Sequence, residues 1–250
     1  MELGLQDKTA LVTGASAGLG RAISKALAAE GVQLCLAARR GPVLEQFASE
    51  IVSAGGATPK IVVVDLMQEG EPTRLAKEAV KGLGKVEILV NCAGGSHSMA
   101  LDTPEQEWLE AMAFNYTHLR RLTLDIVPNM IEHKWGRIIN LTGKSEPMSL
   151  LSASPAKAAV HSFSKALSRE VGKHGISVNC LAPGRIMSEQ VRARHTDEWI
   201  ADHASREIPL GRYGKPEEIS CVATFLASPL ASYVTGAIVP VDGGMRRFAF

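Results

Sequence analysis

Residues 9–31 read TALVTGASAGLGRAISKALAAEG, and this stretch decides the fold. Its first five residues are apolar or β-favouring without polar alternation, which describes a strand buried on both faces. The last dozen place apolar residues at helical spacing and end at Gly31, a residue type that favours a left-handed helix terminus. Between them, Gly14, Gly18 and Gly20 make the turn from strand to helix, with Ser16 and Leu19 among them. Glycines let such a turn close tightly and bring backbone N–H groups against a ligand, while the helix start adds the positive end of its dipole. Strand, glycine turn and helix in that order propose a site for a dinucleotide pyrophosphate.

The same rhythm runs outward along the chain. Short apolar runs stand at 33–37 (QLCLA), 61–65 (IVVVD), 87–91 (EILVN), 136–141 (GRIINL), 176–181 (ISVNCL) and 237–241 (AIVPV). Helical patterns fall between them at 18–30, 42–54, 71–82, 104–133, 154–173 and 215–227, several closed by Gly31, Gly55, Gly82 or Gly175. Strands apolar on both faces and separated by crossover helices predict an α/β fold, a doubly wound, Rossmann-like parallel sheet of about seven strands with helices on both faces. With no Pro/Ser-rich linker or repeat in the way, residues 1–250 are expected to form a single domain. The long stretch 183–214 after strand six is predicted to be irregular and to serve as the loop or lid that covers the ligand crevice.

Composition narrows the partners. The formal net charge of +1 gives no broad attraction for nucleic acid or an anionic membrane. No run approaches the roughly 18 apolar residues of a membrane span, and residues 1–8 show neither the basic region nor the long apolar run expected of a signal peptide. Cys35, Cys92, Cys180 and Cys221 are far apart, without the spacing of metal ligands, and read as small core residues in a reducing compartment. A cytoplasmic protein with no metal is expected.

Several further stretches together resemble the short-chain dehydrogenase/reductase family over nearly the whole chain. These are the Gly14–Gly18–Gly20 turn, NCAGG at 91–95, Asn115 in FNYT, PGRIMS at 183–188 and VDGG at 241–244. The resemblance implies a nicotinamide dinucleotide across the carboxyl ends of the strands, usually a homotetramer or dimer, and a small carbonyl or alcohol substrate. It also implies cofactor contacts from Asp65, Asn91, Ala93, Gly94, Pro183 and Gly184, with the backbone near Ile186 and the Ser188 hydroxyl holding the carboxamide. The choice of cofactor rests on physics. A site for NAD(H) places a carboxylate at the end of strand two to bind the ribose hydroxyls, whereas a 2′-phosphate wants a guanidinium fork. Here Ala37 and Ala38 are followed by Arg39 and Arg40, which predicts NADP(H), with Arg39 on the phosphate.

The reaction centre departs from the family pattern. Lys157 matches the lysine that holds the nicotinamide ribose, and Asn115 matches the asparagine that supports a proton-relaying water. The position of the proton-donating tyrosine, four residues before Lys157, is held by Ala153, and Gly143 stands about where the polarising serine comes. Lys144 and Ser145, in TGKSEP at 142–147, are expected to serve the lost groups, with Lys144 and Lys157 lowering one another's pKa and Glu146 restraining one of them; a solvated turn is the alternative. Ser154 is expected to cap the helix that Pro155 opens. His97 is a candidate pocket residue with a titratable ring, whereas His161 reads as a helix-surface or interface residue. Arg185, Arg192, Arg194 and His195 lie in the lid, either to receive an anionic substrate or as a solvated helix. The leading reading is an NADP(H)-dependent oxidoreductase on a carbonyl/alcohol pair; a cofactor-holding protein without turnover and a lyase on the same fold are the other two.

Overall fold

The computed structural model describes residues 2–143 and 147–247. Lys144, Ser145 and Glu146 lie outside the described residues, so the roles expected of them rest on sequence alone. In chain order the elements are β1 (Thr9–Thr13), α1 (Gly18–Ala29), β2 (Gln33–Ala38), α2 (Gly41–Ser53), β3 (Lys60–Val63) and α3 (Glu71–Leu83). There follow β4 (Ile88–Asn91), α4 (Glu105–Met112), a π-helical turn (Ala113–Thr117), α5 (His118–Glu132) and β5 (Gly136–Leu141). The last part holds α6 (Ala153–Val171), β6 (Ile176–Pro183), α7 (Glu189–Arg194), α8 (Asp197–Glu207), α9 (Pro216–Ala227) and β7 (Ile238–Val241).

The strands form one seven-stranded sheet in the order β3-β2-β1-β4-β5-β6-β7, and every pairing is parallel. Alternate residues of each strand face opposite layers. On one side Val12, Val90 and Ile139 pack with Ile23 and Leu27 of α1, Phe47 of α2 and Ile219 of α9. On the other, Leu11, Leu89 and Ile138 pack with Leu75 of α3, Ile126 of α5 and Leu167 of α6. Both faces are covered, which is why β1, β4 and β5 are buried at every residue. Strand order reverses between β1 and β4, so the crevice at their carboxyl ends is the place where a ligand fits.

Four expectations are corrected. Gly82 lies inside α3, and Gly84, at φ 76°, terminates that helix. The predicted helix at 104–133 is interrupted by the π-helical turn that carries Asn115. Ser154 does not cap α6: the helix begins one residue earlier, with Ser152 before it, because Ser152 already has helical backbone angles. The stretch 183–214 is not irregular but holds α7 and α8, each opened by a side-chain cap, Ser188 and Thr196.

The floor of the sheet far from the crevice is pinned by Glu87. Its buried carboxylate bonds to Lys8 at 2.9 Å, Lys85 at 3.0 Å and the Thr9 amide at 3.1 Å. Burial alone would raise its pKa, but the two ammonium groups outweigh this and hold it below the usual carboxylate range. The folded value therefore lies under the unfolded one, so the stabilisation is present above about pH 4.5 and is lost as pH falls through the folded value. Glu87→Gln is expected to cost about 2 kcal/mol at pH 7, read as a lower urea midpoint. The gap to wild type should close in acid; a gap that persists there would refute the assignment.

Candidate active site

The glycine turn is built around backbone contacts that tolerate no side chain. Gly14 and Gly18 sit at φ 68° and 54°, a region costly for other residues. A Cβ on Gly20 would stand 2.4 Å from the Gly14 carbonyl oxygen, so α1 can approach β1 this closely only through glycine. A Cβ on Gly18 would meet nothing within 4 Å, so this glycine faces open space in the crevice. Ala17 precedes α1 and provides no side-chain cap, which leaves the helix start to its own backbone and to a ligand. Leu19 is half-buried against the core, and the Ser16 hydroxyl accepts a hydrogen bond from Arg40 at 3.2 Å. Arg39 and Arg40 are both exposed at the end of β2, and Arg40 is the one tied to the glycine turn. Asp65 bonds the Met67 amide at 3.1 Å, closing a local turn.

The NCAGG segment is held from beneath by residues that the motif does not include. Asn91 is buried below the crevice, where its amide donates to Thr123 at 2.9 Å and Asn140 at 2.8 Å. The Thr13 hydroxyl accepts from the Cys92 and Ala93 amides at 3.0 and 3.1 Å. His118 is buried with Nδ1 3.1 Å from the Ala113 carbonyl; burial pushes its pKa down to about 4, against the pull of the Ala113 and Ala93 carbonyls, so the ring is neutral at pH 7. Thr13 and His118 are site-building residues that sequence reading missed. Asn115 completes the support: its amide donates to the Gly95 and Ala111 carbonyls at 3.0 and 3.1 Å, and its oxygen accepts from the Gly95 amide at 3.1 Å. The π turn explains how a helix residue reaches this far, since the widened backbone turns Asn115 toward the loop.

Lys157 stands opposite. A Cβ built on Gly94 would lie 2.8 Å from the Asn115 oxygen and 3.3 Å from the Lys157 Nζ, so the absence of a side chain at 94 lets all three groups meet. Lys157 donates to the Leu141 carbonyl at 2.8 Å. Burial pushes its ammonium down to about 8. Its neighbours Cys92 and Cys180 are thiols pushed up by burial to about 11, and no carboxylate pairs with it among the described residues. One helical turn earlier, Ala153 is buried as the first residue of α6. Thr142 spends its hydroxyl on the Leu181 carbonyl at 3.3 Å, and a Cβ on Gly143 would meet nothing within 4 Å.

The far wall comes from the end of β6. Pro183 ends the strand, and a Cβ on Gly184 would lie 2.6 Å from the Asp242 Cα, so glycine there lets β6 and the chain after β7 run side by side. Ile186 is bridged to Gly214 through the Arg185 carbonyl and the Met187 amide, so its own amide and carbonyl point the other way. The Ser188 hydroxyl accepts from Val191 at 3.2 Å as the cap of α7. Arg192 and Arg194 are exposed on α7, as a solvated helix would have them, and Arg185 is exposed in the segment before it. His195, Trp199 and His203 stack in succession, and the Tyr213 hydroxyl lies 3.0 Å from the His203 Nδ1. Tyr116 packs edge-on against Phe163, and Tyr233 is fully exposed.

Comparison with known proteins agrees with this architecture. The profile of a family described as "Enoyl-(Acyl carrier protein) reductase" matches residues 14–246. A 3-oxoacyl-(acyl-carrier-protein) reductase FabG of Aquifex aeolicus is 34% identical over 249 residues, covering 98% of this chain and 100% of that protein. The crystal structure of L-sorbose reductase from Gluconobacter frateurii, complexed with NADPH and L-sorbose, superposes with a TM-score of 0.93 at 28% identity, over 99% of this chain and 100% of that one. A 7α-hydroxysteroid dehydrogenase complexed with NADH and 7-oxo glycochenodeoxycholic acid gives 0.92 at 31% identity, over 100% and 98%. The chain belongs to the short-chain dehydrogenase/reductase family and is a short-chain oxidoreductase. Among the described residues no helix is long and apolar enough to cross a membrane.

Proposed function

We propose that this protein is an NADP(H)-dependent oxidoreductase that interconverts a small carbonyl compound and its alcohol, in a form of the family site that works without the tyrosine. The observation that carries this is the ammonium of half-buried Lys157, which with the Asn115 oxygen stands close beside the Gly94 backbone. The uncapped start of α1, the open side of Gly18 and the outward amide of Ile186 fit a dinucleotide lying along the crevice. When bound, the nicotinamide supplies the hydride. Lys157 holds the ribose hydroxyls and places positive charge near the oxygen on which negative charge develops. Asn115 and Thr13 keep the NCAGG backbone at the right height, and the segment 183–214 covers the substrate. Lys144 and Ser145 are further candidates for contact with the substrate oxygen. The relatives' names are those of reductases and a dehydrogenase, which favours turnover over the binding-only and lyase readings. Leu109 of α4 and Leu124 of α5 are exposed, which supports a homo-oligomer.

Preference for NADP(H) is supported by the carboxylate-free end of β2 and the two arginines, of which Arg40, rather than the Arg39 expected from sequence, is bonded to the glycine turn. Fluorescence titration should show NADPH binding more tightly than NADH. Arg40→Ala should weaken NADPH about tenfold and leave NADH unchanged, the expected loss of one charge-assisted contact. Equal loss for both cofactors would refute the phosphate assignment, and failure of wild type to bind either would refute the function.

A further inference from the structure

Two loops meet beside Ala153. The chain after β4 and the chain before α6 pair as a short antiparallel bridge, Ser98 with Leu151, extended by the Met99 amide on the Leu150 carbonyl at 3.0 Å. Next along this bridge, His97 and Ser152 are joined three times. The Ser152 amide donates to the His97 carbonyl at 2.9 Å, the His97 amide donates to the Ser152 hydroxyl at 3.0 Å, and that hydroxyl lies 3.3 Å from the His97 Nδ1. Ser152 is buried, whereas His97 is exposed. Ser152 is directly bonded to Ala153, which lies on the Lys157 face of α6 one turn earlier. At the other end, His97 follows by three residues the Gly94 backbone that faces Lys157 and Asn115. His97, with its ring exposed, is therefore tied to the residue that directly precedes Ala153, at the position the family resemblance gives to the tyrosine.

We propose that His97 is the proton donor of this enzyme and that Ser152 is the residue that positions it. The inference rests on the carbonyl reduction proposed above. Having accepted the His97 amide, the Ser152 oxygen retains a second lone pair for Nδ1–H. That bond keeps Nδ1 protonated and leaves Nε2 as the nitrogen that exchanges its proton. In the reduction, the carbonyl carbon accepts a hydride from the reduced nicotinamide and the C=O π pair moves onto oxygen. This oxygen takes the Nε2 proton of the imidazolium, which becomes neutral imidazole. The exposed ring recovers its proton from water, so the cycle closes without another reagent. Reversed, the same nitrogen accepts the proton of an alcohol. Imidazole suits both directions because the same ring nitrogen can donate and accept a proton. Lys157 keeps the role of a fixed cation, because its bond to Leu141 holds it toward the strand.

The test uses the full chain, a carbonyl substrate found by screening with NADPH, and two kinds of variant. His97→Gln preserves the amide bonds but has no titratable proton, and should lower kcat about 100-fold with NADPH affinity unchanged. His97→Ala should regain part of its rate on addition of free imidazole. Independently of turnover, 15N spectra of histidine-labelled protein without cofactor should show neutral His97 protonated on Nδ1, a signature lost in Ser152→Ala and restored in Ser152→Thr. A wild type that turns over no carbonyl substrate would overturn the reductase reading and the proton donor with it. Turnover that survives in His97→Gln would overturn the donor alone, as would a fall in rate accompanied by an equal loss of NADPH binding. An Nε2-protonated ring indifferent to Ser152→Ala would overturn the positioning role.

Discussion

Replacing Lys157 with methionine is expected to raise the melting temperature and to remove most of the activity of the same protein. The two effects have one cause. The ammonium is buried, and its pKa is pushed down from the ordinary 10.5 to about 8, a cost of roughly 3 kcal/mol at 1.36 kcal/mol per tenfold change in acidity. Its direct compensation is one hydrogen bond to the Leu141 carbonyl at 2.8 Å, worth about 1.5 kcal/mol, to which the substitution adds the cost of leaving that carbonyl without this donor. Methionine fills the same space without charge, so a net gain of about 1 kcal/mol follows, with turnover lower by roughly 100- to 1,000-fold. The pH dependence has a definite sign. Since the folded value lies below the unfolded one, between about pH 8 and 10.5 the unfolded chain binds the extra proton, and wild-type stability contributed by this group rises with pH across that window. Activity that needs the ammonium falls as pH passes about 8, so stability and rate move in opposite directions. Thermal melts and initial rates of both proteins from pH 6 to about 10 check this. A Lys157→Met protein less stable than wild type at pH 7, or one with full activity, would show that the lysine is a structural tie.

Much of the fold was legible because parallel strands buried on both faces must be apolar throughout, and such runs stand out between amphipathic helices. The glycine turn was legible for a related reason: Gly14 and Gly20 are demanded by backbone conformation and clearance, and only one residue type satisfies both. What escaped were residues whose meaning lies in a distant partner. Thr13 looks like an ordinary β-former, and its hydroxyl acts on amides 79 and 80 positions away. His118 sits at a helix start, where nothing local distinguishes a buried neutral ring from a solvated one. The pairing of His97 with Ser152 spans 55 positions and depends on how two loops cross. The two helices within 183–214 left a readable trace. Ser188 before Glu189 and Thr196 before Asp197 and Glu198 are each a cap followed by acidic residues in the first turn, a helix-start signal that outweighs the brevity of the six-residue α7. Gly82 misled because it has Gly84 beyond it; both can end a helix, and the chain runs on to the second.

Gly20→Ala is expected to cost the protein its cofactor as well as part of its stability, although it adds one methyl group. The new carbon would lie 2.4 Å from the Gly14 oxygen, 2.8 Å from the Gly14 carbonyl carbon and 3.2 Å from the Ala15 nitrogen, all backbone atoms that no rotamer change can move. Gly14 has no freedom to retreat. Its own Cα faces the Ala93 backbone so closely that a Cβ there would lie 3.0 Å from the Ala93 nitrogen, and Ala93 is in turn tied to Thr13. The strain must then be relieved by α1 swinging away from β1, which carries the helix start off the crevice and breaks the contact of Ile23 and Leu27 with Val12. Overpacking of this kind costs about 1–3 kcal/mol of stability. On the proposed cofactor site, displacing the amides and dipole at the start of α1 should weaken NADPH at least about 100-fold, equivalent to about 2.7 kcal/mol. Gly18→Ala separates the two effects. A Cβ at 18 meets nothing within 4 Å, so its direct cost is that of holding alanine at φ 54°, about 1 kcal/mol, with α1 left in place. Urea unfolding and fluorescence titration on both variants decide the matter: if Gly20→Ala binds NADPH as well as wild type does, α1 is not the element that holds the phosphates.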